Sequence, residues 1–293
     1  MKLRRLMLEN YGPFKRYDLL FPDDESACIL LTGKNNEGKT SILSAIRFVE
    51  AAFRAWNRTS LRITANRATY YRLPQQDTEA VIVGRLLHNY FGPQATIRAA
   101  FDDGTEVEVI VDDDRELIYS RVYTTRLKDA STFLGFMPPL GQLAEYEQLL
   151  TEDHVRKSLR TTLAPLHLRN HLATLLSKEE FSLVQELVED TWPGIKLLSY
   201  ELDYDTDTLS AFFREGRFDR EVAWAGQGLQ IWFQLITHLV RLRRHAVLVL
   251  DEPEIFLHAE KQNDLVHLLR ENHLGCQLVA THSVELMNNV VAD

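Results

Sequence analysis

Apolar and polar positions open the chain in a strand-like pattern. Residues 3–8 alternate as a strand does, the turn Tyr11-Gly-Pro-Phe14 interrupts them, and residues 17–21 resume, so an opening hairpin is expected. Residues 27–32 (ACILLT) form a continuous apolar run, and residues 41–53 (SILSAIRFVEAAF) carry helical periodicity. Strand, loop and helix follow in that order. Residues 56–74 are rich in arginine and aromatic side chains without a clear period, whereas 79–87, 95–101 and 106–111 read as strands of an antiparallel sheet, the last two joined by the Asp102-Asp-Gly104 turn. Between 138 and 192 the pattern becomes helical, with 143–150, 154–163, 166–176 and 179–191 as candidate helices. Strand and helix then alternate: strands at 196–204, 209–214, 246–250 and 277–281, helices at 229–243 and 259–271. The expected architecture is α/β, with an N-terminal lobe and antiparallel β subdomain over 1–130, a helical insertion over 131–195 and a C-terminal lobe over 196–293. No internal repeat or low-complexity linker interrupts it.

Four short elements on this frame carry chemistry. Gly33-Lys-Asn-Asn-Glu-Gly-Lys-Thr40 fits G-x-x-x-x-G-K-[ST], in which backbone amides curl around phosphate oxygens and the following helix points its positive end at them. Lys39 would reach the β and γ phosphates of a nucleotide and Thr40 would hold magnesium. The second element, residues 246–250, is an apolar strand ending in Asp251 and Glu252, two carboxylates that are costly there unless something cationic meets them. Asp251 suits the magnesium shell and Glu252 the activation of an attacking water. Third, the apolar run 278–280 leads through Thr281 to His282, which could sense a γ-phosphate. The fourth element, Trp224-Ala-Gly-Gln-Gly-Leu-Gln230, is a glycine-rich turn opening the helix at 229–243 and so a second anion site. One subunit has no use for two such sites, but two subunits packed head to tail do, with Gly226 to Gln230 of each capping the nucleotide on the other's phosphate loop.

Composition adds little, and global charge neither proves nor excludes a DNA partner. A content of 45% hydrophobic and 26% charged residues is that of a soluble globular protein, and a net charge of −9 provides no whole-molecule attraction to nucleic acid or anionic membrane. DNA would need a local basic patch, for which Arg58, Arg62, Arg67 and Arg72, or Arg156, Lys157, Arg160 and Arg169, are candidates. Cys28 and Cys276 lie in apolar stretches and read as buried thiols of a reducing cytoplasm. No signal peptide or membrane span is expected. Acidic pairs such as Asp102-Asp103 and residues 112–114 read as solvated turns.

The order phosphate loop, glycine signature, Asp-Glu strand and terminal histidine resembles the ABC ATPase superfamily. The opening L-x-L-E-N-Y-G-P-F and the long interval from Gly33 to Asp251 look like its SMC, RecF and RecN branch. Within that branch, Trp224 to Gln234 (W-x-G-x-G-L-Q-x-W-x-Q) and Asp251 to His258 (D-E-P-[DE]-x-x-L-H) resemble the overcoming-lysogenization-defect (OLD) family and related anti-phage defence ATPases. That resemblance implies an ABC/SMC-like, RecF-like P-loop fold with a mixed central sheet, and ATP and Mg2+ as cofactors. It implies nucleotide contacts by Asn35, Gly38, Lys39, Thr40 and Ser41, with Gln75 or Gln76 bridging metal and attacking water. The site so assembled has Glu252, His282 and Gln76 as catalytic groups, Gly226, Gly228 and Gln230 on the nucleotide from the second subunit, and Thr40, Asp251 and Gln76 around the metal. Ala225 departs from the serine usual in the signature, which removes one hydrogen bond worth about 1 kcal/mol net and suggests slow turnover.

The expected function is ATP hydrolysis by a nucleotide-sandwiched homodimer, or a higher even-numbered oligomer, acting on DNA or controlling a nuclease or toxic effector. The alternative is a scaffold that grips a partner protein with little turnover; a transporter subunit fits less well. A core of this kind normally adds a further strand after residue 291, so the chain is expected to be part of a longer protein, and any nuclease would lie in further sequence or in a separate partner.

Overall fold

The chain begins with the expected hairpin, β1 (Leu3–Tyr11) antiparallel to β2 (Phe14–Leu20). The computed structural model describes residues 2–24, 27–34, 37–56, 62–65, 68–73, 83–124, 133–273 and 275–291. Asn35, Arg58, Arg67, Gln75 and Gln76 therefore lie outside the described residues. After β3 (Cys28–Leu31) and α1 (Lys39–Ala55) come β4 (Arg62–Ala65), β5 (Ala68–Arg72), β6 (Gln94–Phe101), β7 (Glu106–Asp112) and β8 (Leu117–Tyr123). These form an antiparallel sheet in the order β2-β1-β6-β7-β8-β5-β4. In β6 alternate residues are buried, as a sheet with one face on a core requires.

Two expectations about this lobe change. Strands β4 and β5 occupy the stretch that shows no sequence period. Of the described part of the expected strand 79–87, Val83–Leu86 is a 3-10 turn and only Leu87 is extended, in an isolated antiparallel bridge with Tyr11 beside the bond from Gly12 N to Leu86 O at 2.7 Å. Asp112 is also no solvated turn residue: it is 3% exposed and accepts from the Tyr119 hydroxyl and Gln94 Nε2.

The second half supplies β9 (Leu134–Phe136), β10 (Glu147–Gln148), α2 (Glu152–Ser158), α3 (Leu168–Asn170, continuing as a π turn to Leu175) and α4 (Lys178–Thr191). Then follow β11 (Ile195–Asp203), β12 (Thr208–Glu215), β13 (Phe218–Glu221), α5 (Gln227–Leu242), β14 (Val247–Asp251), α6 (Ala259–Asn272), β15 (Cys276–Ala280) and α7 (Val284–Val291). Helix α4 starts at a capping box in which Ser177 and Glu180 satisfy each other's backbone N–H groups. Residues 143–150, expected as a helix, are extended. Leu149 N donates to Asp207 O, Leu150 N to Asn170 Oδ1, and β10 pairs with β12, so tertiary partners take the backbone groups that a helix would have used.

Strands β3, β15, β14 and β9 make a parallel sheet in that order, so the mixed character of the fold is divided between separate sheets. Alternation along its strands splits the core. Val247, Val249, Leu278 and Ala280 pack with Ile42, Ile46 and Val49 of α1, whereas Leu248, Leu250 and Val279 pack with Ile231, Leu235 and Leu239 of α5. Helices α1 and α5 thus lie on opposite faces. Helix α5 is buried almost all round, as a helix between layers must be.

Cys28 and Cys276, on adjacent strands, are half-buried rather than fully buried. Burial pushes their thiols up to about 11 and about 12, respectively. The basic candidates are largely committed within the chain. Arg169 is 1% exposed and paired with Glu147 and Glu221, so it cannot meet DNA. Arg156 pairs with Glu152, Lys157 with Asp153 and Arg160 with Glu50. Among the described residues no helix is long and apolar enough to cross a membrane.

Two fully buried imidazoles meet where α5 packs on the π turn. His171 and His238 stand edge to face with ring centroids 4.8 Å apart, and both nitrogens of His171 and Nδ1 of His238 lack a partner. Burial first, and then Arg241 and His167, hold His171 down to about 3; burial, His171 and Arg241 hold His238 well below 6.5. Both rings are neutral in the fold and take up protons on unfolding below pH 6.5, so stability falls as pH drops through that value. One such group costs about 2 kcal/mol by about pH 5. In urea melts, His171→Leu is expected to lose less stability than the unaltered protein between about pH 7 and about pH 5, and equal losses would refute this account.

Candidate active site

The parallel register brings three sequence motifs to one edge. Because β3, β15 and β14 run the same way, the phosphate loop after Leu31, the segment Thr281-His282 and the pair Asp251-Glu252 all leave the sheet at its carboxyl-terminal end. Thr281 N donates to Leu31 O at 3.1 Å and Glu252 N to Ala280 O at 2.8 Å, extending the ladder beyond the strands to the candidate site. Ligands of open α/β sheets bind at that end.

The described part of the loop has the geometry that an anion cradle needs. Gly38 precedes α1 with φ of +102°, where a Cβ would lie 2.4 Å from Phe14 Cζ and 2.6 Å from Pro13 Cγ, so only glycine fits between the loop and the opening hairpin. Helix α1 has no side-chain cap and no acidic residue in its first turn, which leaves its amino-terminal amides for an anion. Lys39 Nζ donates to Gly33 O at 2.7 Å and to Lys34 O at 3.2 Å, folded back over the loop. Thr40 is exposed and Ser41 half-buried at the start of the helix. Glu37 Oε2 accepts from Lys34 N at 2.8 Å and braces the loop.

Opposite the loop stands a group of carboxylates. Partial burial, then Glu252, raises the Asp251 carboxyl; Glu254 adds to this, while Arg47 and Lys39 oppose it. Glu252 has φ of +48°, a conformation that a non-glycine residue holds only when its surroundings impose it. Its Oε1 lies 3.4 Å from His282 Nε2. Glu254 was seen in the sequence only as part of the motif, yet its Oε1 accepts from the Thr281 hydroxyl and from His282 N at 3.1 Å, tying β15 to β14 behind the histidine. Its Oε2 is buried and unpartnered. A carboxylate followed closely by a second Glu was the available signal.

The glycine signature lies elsewhere. Gly226 caps α5, and Gly226 and Gln227 are exposed beside Trp224, which is 73% exposed. A Cβ at Gly228 would come within 3.3 Å of Phe256 O, so the turn after Glu254 packs directly on the signature. Gln230 does not fit its expected role: it is 5% exposed, its Nε2 donates to Ala223 O and Ala225 O at 2.9 Å each, and its Oε1 accepts from Leu143 N at 3.0 Å. The side chain shapes the turn from within. Among the described residues no three His, Cys, Asp or Glu side chains converge as a protein-only metal site requires. A magnesium ion would suit the hard oxygen donors Thr40 and Asp251 together with nucleotide phosphates, and the crowded carboxylates fit that chemistry.

A family model described as "AAA domain, putative AbiEii toxin, Type IV TA system" matches residues 88–288, and a second described as "AAA domain" matches residues 1–62. No curated protein matches. Among solved structures, the chain is similar to an SMC head bound to the C-winged helix domain of ScpA (TM-score 0.61, 14% identity, 99% of this chain and 92% of that one covered). It is similar to the SMC head domain from Thermotoga maritima (0.55, 14%, 99% and 92%). It also resembles the recombination mediator protein RecF of the RecFOR pathway (0.54, 11%, 97% and 93%). At such identities the likeness shows the fold alone, that of an SMC head and RecF. The first model spans more than half of the sequence, and the chain belongs to that AAA-domain family.

Proposed function

We propose that this chain binds ATP with Mg2+ and hydrolyses it in a homodimer that sandwiches two nucleotides. The observation that carries this reading is the placement of α1 and α5 on opposite faces of the parallel sheet, each with an uncapped amino terminus. A signature across the sheet from its own phosphate loop is suited to a nucleotide held by another subunit. Lys39 and the amides from Gly38 to Ser41, with Asn35, hold the phosphates. Glu252 activates water, His282 orients Glu252 and senses the γ-phosphate, and Gln76 bridges metal and water. Thr40 and Asp251 hold magnesium, which when bound supplies positive charge to the phosphate oxygens. Gly226 and Gly228 of the second copy close the site.

We further read residues 1–130, 131–195 and 196–293 as lobe, insertion and lobe of a cytoplasmic enzyme in the OLD group, serving anti-phage defence by controlling a nuclease or toxic effector on DNA. The family match to a toxin–antitoxin AAA domain supports this direction. A turnover-poor scaffold is the second reading, favoured by Ala225 in place of a signature hydroxyl.

Light scattering with ATP is expected to show Glu252→Gln as a dimer and Lys39→Ala as a monomer; a Glu252→Gln protein that binds ATP and stays monomeric would overturn the sandwich. If cellular activity survives Glu252→Gln but not Lys39→Ala, binding rather than hydrolysis is the output. Gly38→Ala should weaken nucleotide binding at least tenfold, about 1.4 kcal/mol, with circular dichroism unchanged, because the added methyl collides with Phe14 and Pro13. Unaltered affinity would show that the loop does not contact phosphate.

A further inference from the structure

The signature turn is held from behind by a buried ion network that no nucleotide-site motif includes. Glu221 caps the one-turn helix Val222–Trp224, its Oε2 accepting from Ala223 N at 2.7 Å, while its Oε1 accepts from Ala211 N of β12 at 3.1 Å. Arg169 of α3 grips that carboxylate with both arms of its guanidinium, Nε to Oε1 at 2.7 Å and Nη2 to Oε2 at 2.8 Å. The third guanidinium nitrogen, Nη1, donates to Glu147 Oε2 at 3.3 Å. Gln230 holds Ala223 O and Ala225 O from the other side. The turn's backbone is therefore fixed at Ala223 and Ala225, while Trp224, Gly226 and Gln227 face outward.

A forked guanidinium–carboxylate pair fixes orientation as well as distance. Arg169 is 1% exposed and Glu221 half-buried, so the guanidinium side of the pair is shielded from solvent. We propose that Arg169, acting through Glu221, is a positioning residue of the composite ATP site: it sets the angle at which the signature amides meet the phosphate of a second copy. The proposal rests on the sandwich reading. Because Arg169 and Glu147 belong to the segment between the lobes, that segment acts on the signature of its own chain and so on the nucleotide of its partner.

The test compares Arg169→Lys and Glu221→Gln in a Glu252→Gln background, using a fluorescent ATP analogue for binding to the monomer, light scattering for pairing and thermal melts for folding. Nucleotide affinity of the monomer should stay within about twofold, and the protein concentration for half-maximal pairing should rise about tenfold or more, since positioning rather than contact is lost. In proteins with Glu252 intact, kcat at saturating ATP should fall with KM little changed. Millimolar guanidinium should partly restore pairing to Arg169→Ala, a rescue that a merely structural role does not predict. If the Arg169 variants fail to fold, Gln230→Met removes the second brace and carries the same expectation. Parent-like pairing by folded Glu221→Gln and Gln230→Met would overturn the proposal. Failure of the Glu252→Gln parent to pair would overturn the sandwich reading, a separate outcome.

Discussion

The parallel register of β3, β15 and β14 is the constraint on which the site depends. Three stretches spread over more than two hundred positions, the loop at Gly33, the pair at Asp251 and the segment at Thr281, become neighbours because their strands end together. Burial on both faces holds that register: a shift of one residue would send Val247 and Val249 toward α5 and Leu248 and Leu250 toward α1, exchanging two cores of different shape. The hydrogen bonds Thr281 N to Leu31 O and Glu252 N to Ala280 O carry the register past the strands into the chemistry. Site geometry and core packing are the same interaction read at two places.

At that edge several unfavourable features coincide. Asp251, Glu252 and Glu254 crowd together, Glu252 takes a left-handed backbone, and one oxygen of Glu254 is buried without a donor. Each is unfavourable alone. Arg47 and Lys39 offset part of the repulsion, and a cation beside them would offset more. The amino termini of α1 and α5, both without side-chain caps, belong to the same account, since amides without partners favour the approach of an anion.

How far the sequence disclosed this follows from the range of each interaction. The phosphate loop, the Asp-Glu strand end and His282 are contiguous motifs with local signals, and the sheet places them together as their spacing implied. The opening hairpin, α1, α5, α6 and the strands around them follow from periodicity. What escaped was set by distant partners. Residues 143–150 look helical until Asp207 O takes Leu149 N and Asn170 takes Leu150 N. Arg169 looks like one more surface arginine until Glu147 and Glu221 bury it. Gln230 itself, adjacent to the signature glycines, reads as a ligand contact, and only its turn inward shows otherwise. Periodicity cannot separate a solvated charge from one captured across the fold.

Ala225 gives the network behind the signature its significance under the sandwich reading. A serine there would offer a hydroxyl that rotates to find phosphate and so tolerates a loosely held turn. Backbone amides cannot rotate independently of the chain, and the strength of their bonds falls steeply as the donor angle closes. A signature that relies on the amides of Gly226 and Gly228 therefore needs its turn held in one orientation. Neutral braces such as Gln230 fix the carbonyls of the turn, but Ala223 N needs an acceptor that stays fixed, and Glu221 is fixed because Arg169 holds both its oxygens. Burying that pair carries a desolvation cost, one with little return if the turn only had to be folded. The cost is intelligible where the direction of the amides, rather than the stability of the helix, is what the residues behind them maintain.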